Sequence, residues 1–516
     1  MLSTGGKLLC YGIVLLAYLP GLTFILFSER ATRHPVLALS FLGLFVFHAL
    51  GSIGVLYMQY SISGIALISS AYLWMLVAEA LEFYLVAGPY VYFRHHPMAT
   101  DFNEDDRTSG IFRVLLLIAI VAIIGAYYLE VRHFLLFDLV AGKININTVL
   151  PYRLQYSYGL PNFNYYRLGF LVLPAILAGY TVIRCTLRRR FGALDIAVII
   201  FCFIPQLLLA EKSSLLHLGL VILIALAVGF GLRRQPLYQL ISPKIVGLLF
   251  LLAVPTVVTY VIYEASYERW DVLNTPSQVL EHVSPAYRDL RNEGYSTIEA
   301  RQKLAETVFK QNLSPERIME NLWPALGKIS HRLFVVYSEA LALSVPFVEE
   351  YGKFGGVTLP TVRGLLPHKQ LLIEVPMHIY AFDAEHAHQV FSNYVFSAGA
   401  PKLGRLEWFS GSMPVSALAE GYINFGWAGF LLFGVMTFAS VILVQEILWR
   451  LPLGLLPQAL MAWYGYLAVT LSMHSVFQTF ISLIHTGVLL ALAGTYWAIA
   501  AITHHAMKRK SDKACI

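Results

Sequence analysis

The sequence predicts an all-α polytopic membrane protein of about eleven transmembrane helices with a large, mainly helical periplasmic segment. Three observations predict it. Of 516 residues, 57% are hydrophobic and 13% charged, with a mean hydropathy of +0.64. Soluble domains carry typically about 25% charged residues, so this chain could hardly cover itself with a wettable surface. The apolar residues also come in blocks of about twenty, the length that crosses a hydrocarbon core of ~30 Å. Finally, the basic residues collect in alternate loops, as the inside loops of a membrane protein do.

The apolar blocks run at 8–28, 36–57, 64–92, 111–129, 167–184, 193–210, 214–232, 244–264, 426–447, 457–477 and 480–503. The first has no small-residue cleavage site after it and reads as a retained helix rather than a removed signal peptide. The third is long and contains Gly88-Pro89, which favours a tilt or kink. One set of loops holds Arg30 and Arg33, Arg94 and Arg107, Arg184 and Arg188 to Arg190, Arg233, Arg234 and Lys244, then Arg450. The tail adds Lys508, Arg509, Lys510 and Lys513. The opposite short turns hold little beyond Lys7 and Lys212. This bias places the N-terminus outside and the C-terminus in the cytoplasm. The formal charge of +6 then belongs to inside loops and calls for no nucleic acid.

Three regions follow: residues 1–264, membrane helices with an outer loop near 130–166; residues 265–425, a periplasmic segment; and residues 426–516, further membrane helices and a cytoplasmic tail. In the middle region Ser296-Thr-Ile-Glu299 fits a capping box, and Ser314-Pro315-Glu316 reads as a second helix start. Cys10, Cys185, Cys202 and Cys515 all lie outside it, which excludes a disulfide framework there.

Neither a phosphate-cradling G-x-x-x-x-G-K-[ST] loop nor H-E-x-x-H is present. Chemistry, if any, belongs on the outer face, where nucleotides are scarce and an activated substrate carried by lipid is the natural energy source. Arg332, Arg363, Lys369, Lys402 and Arg405 could grip phosphate, and arginine does so through two parallel hydrogen bonds. The bland reading is solvated surface charge. Arg332 stands apart because it opens the apolar stretch Leu333 to Val345, where a charge needs a partner. Arg153, in the outer loop, and Lys212, beside Glu211 at a tight outer turn, are candidate substrate-binding cations; Lys212 could equally just pair with Glu211. The cluster Asp383, Glu385, His386 and His388 matches no common zinc spacing, and a base for a sugar hydroxyl is its better use. Glu79 and Glu82 share one face near the middle of the third span, where charge is costly and functional roles concentrate. A proton-coupled transporter would use such a pair; a carboxyl pair buried against tyrosines or an arginine is the structural alternative.

The stretch Ser412 to Gly429, SMPVSALAEGYINFGWAG, resembles the Pro-x-Ser…Glu-x-Tyr-x-Asn-Phe-Gly-x-x-Gly signature of bacterial oligosaccharide repeat-unit polymerases, the Wzy-type O-antigen polymerases. The matching residues are Pro414, Ser416, Glu420, Tyr422, Asn424, Phe425, Gly426 and Gly429. Arg332 ahead of Tyr351-Gly352 resembles that family's Arg…Tyr-Gly pattern. Leu366-Pro367-His368-Lys369 stands where the family shows Ile-Pro-Arg and then a Lys, with His368 replacing the arginine. Lys212 also sits where the family has a basic residue.

The resemblance implies a metal- and nucleotide-independent glycosyltransferase of the bacterial inner membrane, with no cofactor, acting on polyprenyl-diphosphate-linked oligosaccharides, with a chain-length regulator as a candidate partner. The candidate catalytic residues are Glu420, as the base, Arg332 and Arg363, and the candidate substrate-binding residues are Lys212, Arg153, Tyr351, Lys369, Tyr422 and Asn424; of these, Arg363 and Arg153 rest on their charge and outer position, not on the resemblance. Glu420, Tyr422 and Asn424 are expected to project at the water boundary just before the following span. An O-antigen ligase and a flippase of lipid-linked sugars are the alternatives. The topology is tested by reporter fusions: alkaline phosphatase is expected to be active at about residue 300 and inactive at about 190 and 512, the reverse of which overturns the orientation.

Overall fold

The fold comes from a computed structural model that describes residues 4–58, 68–94, 106–141, 166–209, 212–233, 277–312, 336–353, 416–451, 454–470 and 491–503, with single positions 235, 238, 247, 272 and 273. Among the described residues the regular structure is helical throughout, without strands. The membrane gives the reason: with no water to satisfy peptide groups, a spanning segment must bond its backbone to itself.

The N-terminal helices are α1 (Thr4–Phe27), α2 (Glu29–Thr32), α3 (Pro35–Leu44), a π-helical turn (Phe45–Leu50) and α4 (Gly51–Met58). Next come α5 (Ser70–Phe93), α6 (Asp106–Val131) and α7 (Leu135–Val140). A second π-helical turn (Leu168–Val172) leads into α8 (Leu173–Arg188), α9 (Ala193–Leu208) and α10 (Lys212–Leu232). The middle region contributes α11 (Ser277–Val283), α12 (Pro285–Asn292), α13 (Thr297–Asn312) and α14 (Val336–Tyr351). The C-terminal part contributes α15 (Ala417–Phe425), α16 (Trp427–Trp449), α17 (Leu456–Thr470) and α18 (Ala491–Thr503).

Five helical stretches among these are long and apolar enough to cross a membrane: Pro35–Leu56, Ser70–Phe93, Thr108–Val131, Leu168–Arg188 and Trp427–Trp449. Shorter apolar helices lie at Tyr11–Phe27, Ala193–Leu208, His217–Leu232 and Ala491–Thr503. The chain is therefore a membrane-embedded helical protein. Their burial is uneven, and that sorts centre from rim. Leu168–Arg188 is 83% buried and Thr108–Val131 only 22%. The second exposes Ile111, Val114, Ile118 and Val121 along α6, a face that only lipid suits. The third predicted span begins later than its hydropathy: Ser69 caps it, its Oγ accepting from Tyr72 N at 3.1 Å. The predicted span at 244–264 lies outside the described residues apart from Gly247.

The capping box in the middle region is present as read. Ser296 N donates to Glu299 Oε2 at 3.0 Å and Glu299 N donates to Ser296 Oγ at 3.3 Å. Those hydrogen bonds hold the Glu299 carboxyl below its ordinary range. Tyr287, Leu280, Ala300 and Leu304 form a small core of their own around it. The start at Ser314 lies outside the described residues.

Two further helices, α14 and α15, behave differently. α14 packs against α4, the first π-helical turn, α5 and α15, inside the helix bundle. α15 packs along α16. Its Ser416 cap accepts from Ala419 N at 3.2 Å, and it stops at Gly426, whose φ of 67° and ψ of −146° suit glycine alone. The chain reverses there. A Cβ on Gly421 would meet the Gly429 carbonyl oxygen at 2.4 Å, and one on Gly429 would meet that of Gly421 at 2.0 Å. A continuous helix would hold those residues about 12 Å apart, so only a reversal explains the contact.

Gly429→Ala is expected to cost about 1–3 kcal/mol, since backbone cannot yield as a side chain would. Gly125→Ala, with open space at the added methyl, should stay near wild type. Unfolding of the two monodisperse variants in detergent measures the difference.

Candidate functional site: two buried carboxylate centres

The first centre is the α15–α16 hairpin. Glu420, Tyr422 and Asn424 do not project at a water boundary, as their sequence position led one to expect. Glu420 is 3% exposed, Tyr422 7% and Asn424 fully buried. The physical reason is the reversal at Gly426, which lays α15 between α14 and α16 instead of leaving it on the surface. Asn424 Nδ2 donates to the Glu420 carbonyl at 2.9 Å, bracing the helix one turn from its end. Among the described residues neither carboxyl oxygen of Glu420 has a hydrogen-bond partner. Burial pushes that carboxyl up to about 8. Tyr422 stands edge-on to Trp427, centroids 6.0 Å apart, with Glu349 of α14 nearby. The Lys353 side chain, just past α14, lies over Gly426 and brings a cation to the turn.

Other sequence candidates fall elsewhere. Lys212 opens α10 and Tyr351 closes α14, but the positions of their side chains are outside the described set. Arg332, Arg363, Arg153, Lys369, Lys402, Arg405 and the cluster from Asp383 to His388 lie outside the described residues. Among the described residues no group of three or more His, Cys, Asp or Glu side chains could hold a metal ion.

The second centre lies in the membrane core on α5. Glu79 is fully buried and accepts from His48 Nδ1 at 2.8 and 2.9 Å and from the Tyr18 hydroxyl at 3.1 Å. Ser338 of α14 donates to the His48 carbonyl at 2.9 Å and shares a short hydrogen bond with the Tyr72 hydroxyl. Glu82 is 5% exposed and neither of its oxygens is paired. It lies against Gly434 of α16, where an added Cβ would come within 1.6 Å of Oε2. The tyrosine-buried alternative thus holds for Glu79 and not for Glu82. Sequence reasoning passed over His48, Tyr18, Tyr72 and Ser338. The signal for His48 was there: a lone imidazole inside an apolar span is costly unless it has a partner. It sits in a π-helical turn, an irregularity that recurs at functional sites.

At the other end of α5, Arg94 and Arg450 both reach Glu446, at 3.3 and 3.1 Å. Arg113 reaches Asp195 at 2.9 Å. These pairs tie neighbouring helices together, and Arg94 and Arg450 belong to the basic loops. Fold and sites together define a helical membrane protein with two buried carboxylate centres that share α16. No protein-family model, curated protein or solved structure matches the chain.

His48→Leu leaves Glu79 with one donor in a dry site and is expected to cost about 3–5 kcal/mol of stability. The double variant His48→Leu/Glu79→Leu should recover most of it, because no unpaired charge is then left. A double-mutant cycle by denaturant unfolding in detergent checks both.

Proposed function

We propose that the protein is a membrane glycosyltransferase of the glycan-polymerase class, acting on polyprenyl-diphosphate-linked oligosaccharides at the outer face of the bacterial inner membrane. The observation that carries this reading is the Pro414-to-Gly429 signature, whose glutamate has a buried and unpaired carboxyl. In the reaction, an acceptor sugar hydroxyl attacks the anomeric carbon of the donor chain. The bond from that carbon to the diphosphate oxygen breaks, and the lipid diphosphate leaves. The hydroxyl proton passes to a base, for which Glu420 is the candidate, since both its oxygens are uncommitted. Cations must balance the departing diphosphate. Arg332, which the resemblance offers, and Arg363, an outer-segment cation, are candidates for this, and Lys353 at the Gly426 turn is a third. The reading keeps about eleven spans, with the N-terminus and residues 265–425 periplasmic and the C-terminus cytoplasmic.

A second reading, a proton-coupled flippase of lipid-linked sugars, draws on the Glu79–Glu82 pair. The two separate in a deletion strain of a lipopolysaccharide producer. A polymerase mutant keeps a core bearing one repeat unit; a flippase mutant shows bare core and traps the lipid-linked unit inside.

For the purified enzyme, polymer formation from lipid-linked repeat units should rise with pH up to about 8. The sign follows from the base: a carboxyl with a raised value is protonated and idle below it, ionised and active above it. Glu420→Gln should lose at least about 100-fold in rate, the size of a general-base contribution, and lose that limb of the profile. Wild-type chain lengths in Glu420→Gln would leave the residue a structural role only.

A further inference from the structure

α5 carries a polar stripe in an otherwise apolar helix: Tyr72, Glu79, Glu82 and Tyr90. At 1.5 Å per residue, Tyr72 to Tyr90 rises about 27 Å, close to the thickness of a hydrocarbon core. The two carboxyls in the middle of that stripe are treated very differently. Glu79 receives three hydrogen bonds from two donors, His48 and Tyr18. Glu82, one turn on, receives none and is pressed against the backbone of Gly434.

Among the described residues no other charge relieves Glu82. α16 has one charged residue, Glu446, twelve positions past Gly434 and engaged with Arg94 and Arg450. α1 offers Lys7, Tyr11 and Tyr18, of which Tyr18 serves Glu79, while Tyr11 donates to the Ala49 carbonyl. α2 offers Glu29 and Arg30, the latter over the Tyr92 ring. α3 has no titratable side chain. The first π-helical turn offers His48, committed to Glu79. α14 carries Tyr337, Glu339, Glu349, Glu350 and Tyr351, and meets the cluster through Ser338. On α5 itself Glu79 is the nearest ionisable group, and the Tyr84 hydroxyl donates to the Ala17 carbonyl.

An ionised carboxylate with no donor in a dry core is not sustained; such a group takes up a proton instead. A glutamate kept neutral and unbonded against a glycine does nothing for packing that a leucine would not do better. The polar groups around it are also one-sided. Toward the Ser70 end of α5 lie the His48 imidazole, the Tyr18 hydroxyl and, joined to the His48 backbone carbonyl, the Ser338 and Tyr72 hydroxyls. From Glu82 toward Tyr90 the residues on α5 are Phe83, Tyr84, Leu85, Val86, Ala87, Gly88 and Pro89, and the sole hydroxyl among them is tied to Ala17.

We propose that Glu82 is an exchangeable proton-binding site inside the membrane, loaded and unloaded through the His48–Glu79 pair from the Tyr72 end of α5. The two carboxyls are not hydrogen-bonded to each other, so an entering water bridges them: it gives a proton to a carboxylate oxygen of Glu82 as it takes one from the Glu79 carboxyl, and the proton replacing that one reaches Glu79 from the side of His48 and Tyr18. Each O–H bond formed is matched by one broken, and water is the only further reactant. Because Glu82 rests on Gly434, its ionisation would force α5 and α16 apart or admit water. The site therefore links proton occupancy to the packing of the helix that also carries the α15 hairpin. It stands independently of the glycan reading.

Infrared spectroscopy of the full-length protein in lipid nanodiscs tests it, with no glycan present. The wild type should show the carbonyl band of a protonated carboxylic acid that shifts on transfer from H₂O to D₂O. Glu82→Gln should remove that component, and Glu82→Asp should keep it at a changed frequency, which holds the test open if the Gln variant folds poorly. His48→Gln should slow the H/D exchange of the band about tenfold or more. A carboxylic acid band untouched by Glu82→Gln and Glu82→Asp overturns the proposal. So does a Glu82 band that does not exchange in D₂O, which would make it a sealed structural acid.

Discussion

The hydrogen bonds that Glu79 receives from His48 and Tyr18 tie α1, the first π-helical turn and α5 together at one buried point, beside the bonds from Tyr84 to Ala17 and from Tyr11 to Ala49. Lipid tails are as apolar as leucine, so transmembrane helices gain nothing from hiding apolar surface from one another. What joins them is close packing and the occasional polar contact. Glu79 supplies the polar contact for α1, the first π-helical turn and α5. The neighbouring carbonyl of His48 supplies the next, through Ser338, for α14. A helix that begins in the polar middle of the chain is drawn into the bundle in this way.

Close packing does the rest, and glycine sets where. Gly434 lets α5 approach α16 until Glu82 touches backbone, and Gly421 and Gly429 let α15 lie against α16. α16 thus has α5 and the membrane carboxyls on one side and the α15 hairpin with Glu420 on the other. A displacement of α16 would be felt at both centres. That shared helix is the physical link between the two buried carboxylate centres.

The signature residues illustrate a limit of motif reading. Residue types and spacing from Pro414 to Gly429 suggested a polar rim at the start of a span, with Glu420, Tyr422 and Asn424 facing water. The spacing is real, but one glycine in a conformation that other residues avoid turns the rim inward. Glu420 becomes an acid whose environment, rather than its charge, is its distinguishing property. For the base role proposed above, that change adds a requirement: a base in a dry site must first lose its proton.

Membrane class, helical content, the five long apolar helices and the Ser296–Glu299 capping box could all be read from the chain, because each depends on residues near one another in sequence. Hydropathy, length and capping are local. The partners of Glu79 could not be read, since Tyr18, His48 and Glu79 come from separate helices, and neither could the isolation of Glu82 or the burial of α14 and α15. Which carboxyl finds donors and which finds only backbone depends on how helices far apart in sequence pack. Tertiary structure alone decides that, because desolvation and hydrogen bonding are properties of the surroundings a residue ends up in.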